Sequence, residues 1–369
     1  MKLNQPRNAF GITYYLRSMK VDVLIVGCGL AGSTLAYRLL ESGKRVIIIS
    51  DSSIKSATKV AAGVFNPIVF KRLNLSWKAE ESLAEAEKYY RGLEQKLQSS
   101  FYYKVPMMRC HGSEDERNLW TEKREQQEYT YYLGKSFSEK ERPWLNQPFG
   151  AAEVHGTGFL DTEKYLNVIQ DYFKSIQCFK DENFQRELLE VQEYSIVYQD
   201  IIADKLIFCD GASAINSAYF STLPFVIAKG EILKVEIPDI PNELFNGKIY
   251  GAPLGNQQFR IGATYTWKEE NDDPTPEGKQ ELVEKLSKLI NVPFSILEHQ
   301  AGFRPSSHDR RPYLGMHPKY PHIGVFNGLG TKGVLLAPML SVEMYNHLIH
   351  QTPLDMESSI YRIKKDVFA

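Results

Sequence analysis

The chain has 369 residues, with 44 basic and 45 acidic side chains and a formal net charge of −1. This near-neutral charge provides no basic footprint for nucleic acid, so a nucleic-acid partner is not expected. Hydrophobic residues make up 43% of the chain, which is enough for a large buried core, yet no apolar run is long enough to cross a membrane.

Two features of the chain predict where the protein resides. The first residues contain no continuous apolar region of the kind found in a signal peptide, so residues 1–19 are predicted to be an N-terminal extension that contributes little to the core. The four cysteines lie far apart in the sequence, which argues against a disulfide scaffold or a metal site and indicates a reducing compartment. The sequence therefore predicts a cytoplasmic protein without a metal ion.

A strand, a helix and a second strand are predicted for the first segment after the extension. Residues 21–26 and 45–50 are apolar without clean alternation, as expected of parallel strands that are buried on both faces. The helix between them is predicted from Ala31 to Ser42, and Gly43 is placed to end it. Strand, helix and strand within this length form a βαβ unit, which is right-handed by default.

A glycine fingerprint, Gly27-x-Gly29-x-x-Gly32, joins the first strand to the helix. Gly27 permits a tight turn, Gly29 lets the backbone approach a pyrophosphate, and Gly32 allows close packing of helix on strand. The helix, which opens near Leu30 and Ala31, offers free N–H groups and the positive end of its dipole to phosphates. The alternative is a tight turn without a ligand. The fingerprint alone does not separate NAD from FAD.

The carboxylate that usually binds the adenosine ribose closes the second strand. Ser50 stands at that position here, and Asp51 follows one residue later. We expect Ser50 and Asp51 to share the ribose hydroxyls.

The rest of the chain alternates between helical and strand-like patterns. Residues 101–150 are rich in aromatic and charged side chains, and their elements cannot be ordered from the sequence. Apolar spacing, capping residues and turn residues predict the other elements in this order: a small-residue loop (56–67), a helix (76–98), a helix capped by Asp161, short antiparallel strands (184–208), further strands (226–265), a helix opened by Thr275, and a closing helix that contains Pro338.

Because βαβ patterns occur at both ends of the chain and antiparallel patterns in the middle, the predicted fold class is α/β. A discontinuous Rossmann-like nucleotide-binding domain would carry an inserted antiparallel-sheet (α+β) domain. The predicted segments are 20–100, 150–222 and 303–369 for the nucleotide-binding domain, and 101–149 and 223–302 for the inserted substrate domain.

Five short motifs occur in one order along the chain: KVAAGVFNP, KLIFCDGAS, KGE, GFRP and GLGTKG. Together they resemble the D-amino acid oxidase (DAO) family of FAD-dependent amine oxidoreductases, from about residue 20 to about residue 350. Within that family the chain is most similar to glycine oxidase, to sarcosine-oxidase-like enzymes, and to the oxidase half of the bifunctional tRNA enzyme that makes 5-methylaminomethyl-2-thiouridine. The resemblance implies an FAD-dependent oxidoreductase that acts on an amino acid or N-substituted glycine.

The resemblance also implies a cofactor site. GLGTKG would place N–H groups, a positive helix end and the Lys332 charge beside the flavin N1–C2=O, where negative charge develops. The alternative is a glycine-rich turn ahead of a core helix. No cysteine stands where sarcosine oxidases attach flavin, so the FAD is predicted to be non-covalent. The cofactor-binding residues implied are Gly27, Gly29, Leu30, Ala31, Gly32, Ser50, Asp51, Thr58, Ala62, Gly63, Gly211, Arg304, Gly330, Thr331, Lys332 and Gly333.

Two residues match the positions that contact the substrate carboxylate in the family. Arg304 in GFRP would bind it bidentately and direct the substrate Cα–H toward the flavin, and Tyr250 in KIYGAP would contact the same carboxylate. The alternatives are an ion-paired or surface arginine and a tyrosine that only packs. His308 is a weaker candidate, since it lies in a charged loop. The 101–150 region and the 226–265 strands are expected to cover the flavin.

In this resemblance Thr331 stands where glycine oxidase carries an arginine, which favours a bulkier N-substituted substrate or a different substrate altogether. The predicted reaction is hydride transfer from a small amine to flavin N5, with oxygen as the acceptor. Three alternatives stay open: a tRNA-modifying amine oxidase, a dehydrogenase with another electron acceptor, and a non-catalytic flavoprotein. The sequence leaves the substrate and the oligomeric state open, with a homo-oligomer as one alternative.

Overall fold

The computed structural model of the chain describes residues 18–267 and 271–364. Residues 1–17 of the predicted extension lie outside the described residues. Its last residue does not, because Met19 opens the first strand, where its N–H donates to the carbonyl of Asp200 at 2.7 Å. The strand therefore begins two residues before the predicted position, since pairing with a neighbouring strand extends it.

Within the described ranges the chain forms seven α-helices and four short 3₁₀ turns. The 3₁₀ turns cover Arg186–Leu188, Gly211–Asn216, Gly330–Lys332 and Ile360–Arg362. The α-helices are α1 (Leu30–Glu41), α2 (Ala57–Val60), α3 (Ala79–Leu97), α4 (Glu114–Arg124), α5 (Thr162–Ser175), α6 (Pro276–Ser287) and α7 (Gly333–His350).

The same ranges contain 22 strands, of which many are short. They are β1 (Met19–Val26), β2 (Val46–Ile49), β3 (Val64–Phe65), β4 (Ile68–Val69), β5 (Asn74–Leu75), β6 (Tyr102–Lys104), β7 (Met107–Cys110), β8 (Leu133–Phe137), β9 (Ala151–Val154), β10 (Gly158–Leu160), β11 (Phe179–Lys180), β12 (Leu189–Val191), β13 (Ile196–Tyr198), β14 (Ile201–Phe208), β15 (Phe225–Glu236), β16 (Leu244–Asn246), β17 (Tyr250–Gly255), β18 (Gln258–Gly262), β19 (Thr266–Trp267), β20 (Ser295–Ser307), β21 (Tyr313–Met316) and β22 (Ile323–Asn327).

An eight-stranded sheet contains the strands of the predicted βαβ unit. Strands β11, β2, β1 and β14 lie side by side and parallel, and β22 joins the far edge of β14 in the same direction. Val23 and Ile25 of β1 pack in one core cluster, with α1, α3, α5 and α7, while Leu24 and Val26 pack in another on the opposite face. Burial on both faces explains why β1 lacks alternation, and the parallel order confirms the predicted βαβ unit.

Helix ends match the capping residues read from the sequence. Gly43 adopts a positive φ of 79° directly after α1, as predicted for a helix terminator. The carboxylate of Asp161 accepts from the N–H of Lys164 at α5, and the hydroxyl of Thr275 accepts from the N–H of Gly278 at α6. These short-range signals therefore predicted where the helices begin and end.

A nine-stranded, largely antiparallel sheet forms the second part. Its order is β19, β15, β18, β17, β16, β7, β9 and β8, with β20 on the other edge of β15. Leu233 and Val235 of β15 pack against Leu282 and Leu286 of α6, which covers one face of the sheet. The opposite face is left to border a cavity.

The sheet pairing moves two of the predicted domain boundaries. Strand β9 was assigned to the nucleotide-binding part, but it pairs with β7 and β8 in the nine-stranded sheet. Strand β20 continues past the predicted boundary at residue 303 to Ser307, because its register with β15 is maintained over that length. The other segment boundaries stay predictions.

Arg260 of β18 ties the two parts together. Its side chain is 5% exposed and donates to the carbonyl of Ala61 at 3.3 Å, to the hydroxyl of Thr162 at 3.2 Å and to the carboxylate of Glu163 at 2.9 Å. Ala61 lies in the loop that follows α2, so the nine-stranded sheet is held against that loop and against the start of α5.

Candidate functional site

A cavity of about 870 Å³ lies where the carboxyl ends of the parallel strands meet the open face of the nine-stranded sheet. This size is within the range of small-molecule and cofactor sites. Every residue predicted for the site lines it except Gly32: Gly27, Gly29, Leu30, Ala31, Ser50, Asp51, Thr58, Ala62, Gly63, Gly211, Tyr250, Arg304, Gly330, Thr331, Lys332 and Gly333. Residues far apart in sequence therefore converge on one cavity.

The glycine fingerprint forms a turn that has no room for side chains. Gly27 has a φ of +95°, and a Cβ built on it would lie 2.5 Å from the carbonyl oxygen of Cys209. A Cβ on Gly32 would lie 1.9 Å from the carbonyl oxygen of Gly27. Gly32 therefore acts behind the cavity wall, in the packing role predicted for it. The N–H of Leu30 at the start of α1 donates a hydrogen bond to the hydroxyl of Thr58 at 3.2 Å.

Ser50 and Asp51 both line the cavity at the end of β2. The Oδ1 atom of Asp51 accepts from the N–H of Ser53 at 2.8 Å and from its hydroxyl at 2.6 Å. These hydrogen bonds, led by that from the Ser53 side chain, lower the pKa of the Asp51 carboxyl, so it is ionised at neutral pH. They use only Oδ1, and the ribose-binding role of both residues stays a prediction.

Asp210 is a buried carboxyl in the same cavity that the sequence did not single out. Its side chain is 8% exposed, and its Oδ2 atom is buried 3.5 Å from the Arg186 guanidinium without a hydrogen-bond partner in the described part of the chain. Its Oδ1 atom accepts from the amide of Asn327 at 3.3 Å. Burial raises the pKa of Asp210 to about 6. The run KLIFCDG contained this residue, but only Gly211 was read as functional.

Lys332 is a partly buried cation that lines the same cavity. It lies directly before α7, and its Nζ atom donates to the backbone carbonyl of Asn66 at 2.6 Å. Burial lowers the pKa of this amine to about 8, with no nearby charge among the causes of the shift. A desolvated amine that donates to a neutral carbonyl favours an anionic ligand, as predicted for a group beside the flavin N1–C2=O.

Arg304 is partly buried and has an incomplete set of partners among the described residues. Its Nη1 atom is buried without a hydrogen-bond partner among those residues, and its Cζ atom lies 5.2 Å from the ring centroid of Tyr265. Burial lowers the pKa of the guanidinium. Since a guanidinium stays charged in proteins, this arrangement suits capture of a carboxylate by charge-assisted hydrogen bonds. The alternative of an ion-paired or surface arginine does not fit these contacts.

Tyr250 lines the cavity, and its hydroxyl accepts from the side-chain amide of Asn66 at 3.1 Å. Burial raises the pKa of the Tyr250 phenol, so it keeps its proton at neutral pH. Asn66, which is 4% exposed, was not predicted; its only sequence signal was its position before a proline in the KVAAGVFNP loop.

One sequence expectation about the cavity is wrong, and the weaker candidate His308 does not reach the cavity. No residue of the 101–149 region lines it, although every residue of that region is described. Several of the region's large aromatics pack instead in hydrophobic cores that they share with other elements, with Trp120 and Tyr132 in one cluster and Trp144 in another. His308 is exposed and is not among the lining residues. Strands 226–265 do contribute lining residues, between Gly230 and Tyr265, and their role as a cover for the flavin stays a prediction.

The lowered pKa of the Lys332 amine predicts how the stability of the protein depends on pH. In the folded chain this amine holds its proton with a pKa of about 8, against its ordinary value of 10.5. Between these values the unfolded chain binds more protons, so the free energy of unfolding of the apoprotein should rise with pH by about 1–3 kcal/mol across this window. Urea unfolding from pH 8 to pH 10 should show this rise in the wild type relative to Lys332→Met. Parallel pH profiles for the two proteins would contradict it.

None of the helices in the described ranges combines the length and the apolar character that a membrane span needs. Within the same ranges, no group of three or more His, Cys, Asp or Glu residues is placed to hold a metal ion.

Comparison with known proteins places the site among flavoproteins. The model of a family described as DAO, FAD dependent oxidoreductase, matches residues 22–345. The tRNA 5-methylaminomethyl-2-thiouridine biosynthesis bifunctional protein MnmC of Marinobacter nauticus is 23% identical over 353 residues, covering 89% of this chain. The chain spans 56% of the length of that relative.

Glycine oxidase of Bacillus subtilis is 22% identical over 347 residues, which cover 86% of this chain and 90% of that protein. The crystal structure of glycine oxidase from Geobacillus kaustophilus matches with a TM-score of 0.80 at 21% identity, covering 94% of this chain and 100% of the other. At this identity the likeness establishes the fold, and it confirms the predicted α/β class with parallel and antiparallel sheets.

Proposed function

The chain belongs to the DAO family of FAD-dependent oxidoreductases, and from that premise we propose that it oxidises the C–N bond of an amino acid or N-substituted glycine. Membership of this family establishes that the chain is a flavin-dependent enzyme whose substrate class is small amines or amino acids. The finer assignment to a carboxylate-bearing amine is our proposal.

The observation that carries this proposal is Arg304. It is a partly buried guanidinium whose Nη1 atom is buried and has no hydrogen-bond partner among the described residues, in the cavity that also holds the glycine fingerprint. A carboxylate would supply the missing partner in bidentate geometry and would fix the position of the adjacent carbon and nitrogen. Tyr250, in the same cavity, is a second donor for the same carboxylate.

The residues around the cavity also fit FAD. The side-chain-free turn at Gly27 and the N-terminus of α1 suit a pyrophosphate, and we propose Ser50 and Asp51 for the ribose. When bound, FAD supplies the acceptor for a hydride from the substrate carbon beside the amine nitrogen. Lys332 and the α7 N-terminus would stabilise negative charge at the flavin N1–C2=O end.

We also propose that the FAD is non-covalent. Cys28 and Cys209 line the cavity, but both are buried, and burial raises the pKa of the Cys28 thiol to about 12. Neither is therefore a thiolate that could attack the flavin at neutral pH. All four cysteines are buried free thiols, which supports the proposed cytoplasmic location.

Oxygen is the acceptor that we propose for the reduced flavin. A dehydrogenase with another acceptor, a tRNA-modifying oxidase and a non-catalytic flavoprotein are the alternatives, and the oligomeric state stays open, a homo-oligomer included. The near-neutral charge of the chain argues against the tRNA substrate.

An aerobic assay tests the proposed function. The purified flavoprotein is supplied with glycine, N-alkyl glycines, larger amino acids and matched amines that lack the carboxylate, and hydrogen peroxide and the carbonyl product are measured. We expect peroxide from carboxylate-bearing amines and little from the matched amines. Equal rates on both sets would contradict carboxylate capture, and carbonyl product without peroxide would assign another electron acceptor.

A further inference from the structure

Asn66 makes three hydrogen bonds in three directions from one buried position between β3 and β4. Its backbone carbonyl accepts from Lys332 Nζ at 2.6 Å, and its side-chain Oδ1 accepts from the N–H of Ile68 at 2.8 Å. Its Nδ2 atom donates to the Tyr250 hydroxyl at 3.1 Å. Asn66 also lines the cavity, so one residue contacts both the proposed flavin-side cation and the proposed substrate-side phenol.

The orientation of the Asn66 amide follows from its partners. The oxygen and nitrogen of an amide have nearly the same shape, so the hydrogen-bond network decides which is which. The N–H of Ile68 can only donate, so the amide atom that faces it at 2.8 Å must be the acceptor Oδ1. Nδ2 is then the atom toward Tyr250, and the Tyr250 oxygen is the acceptor in that bond.

This orientation decides what the Tyr250 hydroxyl can offer to a ligand. A phenol carries one proton, and a phenol oxygen that accepts from Asn66 must direct that proton to another partner. Tyr250 lines the cavity that also contains Arg304, so a ligand there can accept the proton. A neutral donor and a cation in one cavity recognise a carboxylate together.

We propose that Asn66 is a positioning residue that keeps Tyr250 oriented as a hydrogen-bond donor to the substrate carboxylate. The inference rests on the proposed function, because it requires that a carboxylate binds at Arg304 and Tyr250. It goes beyond that function by assigning the orientation of the donor to a residue that acts on the substrate through Tyr250. The competing interpretation is that Asn66 only stabilises the loop through its bonds to Ile68 and Lys332.

The substitution Asn66→Asp separates the two interpretations. It keeps the shape of the side chain and an oxygen for the N–H of Ile68, but the second oxygen can only accept. The Tyr250 proton would then turn toward this oxygen and away from the ligand. Glycolate, in which a hydroxyl replaces the amine of glycine, is the probe, and its binding to the holoenzyme is followed by the change in flavin absorbance.

We expect Asn66→Asp to raise the Kd of glycolate by ~10–100-fold, the effect of losing one hydrogen bond to a charged group. The KM of the best amine should rise by a similar factor, and kcat should change by less than about threefold, because the bond is made to the bound substrate before and during reaction. A merely structural role would instead lower flavin content and kcat without this selective loss of carboxylate affinity.

Tyr250→Phe provides the control for charge. The new carboxylate in Asn66→Asp also repels glycolate through space, and that repulsion would persist when the phenol hydroxyl is absent. If Asn66 acts through Tyr250, Asn66→Asp should weaken glycolate binding by no more than about twofold in the Tyr250→Phe background. An equal loss in both backgrounds would overturn the inference.

A second variant covers the case in which Asn66→Asp does not retain flavin. Asn66→Leu is similar in size and carries no charge, so it releases the Tyr250 hydroxyl without repelling the ligand. We expect the Kd of glycolate for Asn66→Leu to be ~3–10-fold higher than for the wild type. Adding Asn66→Leu to the Tyr250→Phe variant should leave the Kd of that variant unchanged. If Asn66→Leu binds glycolate with the Kd of the wild type, the inference about Asn66 is wrong and the proposed function is unaffected. If the wild-type holoenzyme does not bind glycolate, the proposed function is wrong as well.

Discussion

Replacing Arg304 with leucine should raise the KM for a carboxylate-bearing amine by about 10²–10³-fold, because two charge-assisted hydrogen bonds to the substrate are lost. The loss should be selective. Amines that lack the carboxylate should be oxidised as slowly by the variant as by the wild type, since they make no use of the guanidinium. Steady-state kinetics on matched substrate pairs measures both effects.

Two controls separate carboxylate capture from misfolding. The wild-type protein buries the Arg304 Nη1 atom without a hydrogen-bond partner from residues 18–267 and 271–364, so leucine should leave the free energy of unfolding of the apoprotein unchanged or higher. Arg304→Lys keeps a charge but loses the planar fork, so its KM should lie between those of the other two proteins. An Arg304→Leu protein that is stable and has an unchanged KM would contradict the assigned role.

Replacing Gly32 with alanine should weaken FAD binding and raise the apparent Kd of FAD by at least ~100-fold. Its Cβ would lie 1.9 Å from the carbonyl oxygen of Gly27, so either α1 or the turn must move. Overpacking of this kind costs about 1–3 kcal/mol of stability, and the displaced N–H groups no longer face the pyrophosphate. The ratio of flavin to protein after purification, and titration of the apoprotein with FAD, measure the effect.

Gly92→Ala is the matched control for that substitution. Gly92 lies inside α3, and a Cβ built there meets nothing within 4 Å. Alanine at this position should retain FAD and should stabilise the protein by about 0.5–1 kcal/mol through helix propensity. If Gly32→Ala bound FAD as tightly as Gly92→Ala, the fingerprint would not be the pyrophosphate site.

The nucleotide-binding turn was predictable because its physical requirements are local. Gly27 needs a positive φ, Gly32 needs close packing, and both needs are met within six residues of sequence. The caps at Asp161 and Thr275 were predictable for the same reason, since each side chain bonds to an N–H three residues later. Arg304 and Lys332 required the resemblance to a family, because their spacing from the fingerprint has no local meaning.

Asn66 and Asp210 could not be found in this way, because their roles depend on residues far apart in the chain. Asn66 meets Tyr250 and Lys332 only after the two sheets have assembled, and Asp210 is buried against Arg186 and Asn327. The aromatic 101–149 region was misread for a related reason. Its aromatic rings predicted a cover for a flat ligand, but several of these rings are buried in hydrophobic clusters instead.

The most direct test of the account is anaerobic reduction of the bound flavin. The purified protein is mixed without oxygen with glycine, N-alkyl glycines, larger amino acids and matched amines that lack a carboxylate, and flavin absorbance is followed. We expect the yellow absorbance to be lost with at least one carboxylate-bearing amine, and to return with formation of hydrogen peroxide when air is admitted. A protein that carries FAD but is bleached by none of these amines would contradict the assignment as an amine oxidoreductase.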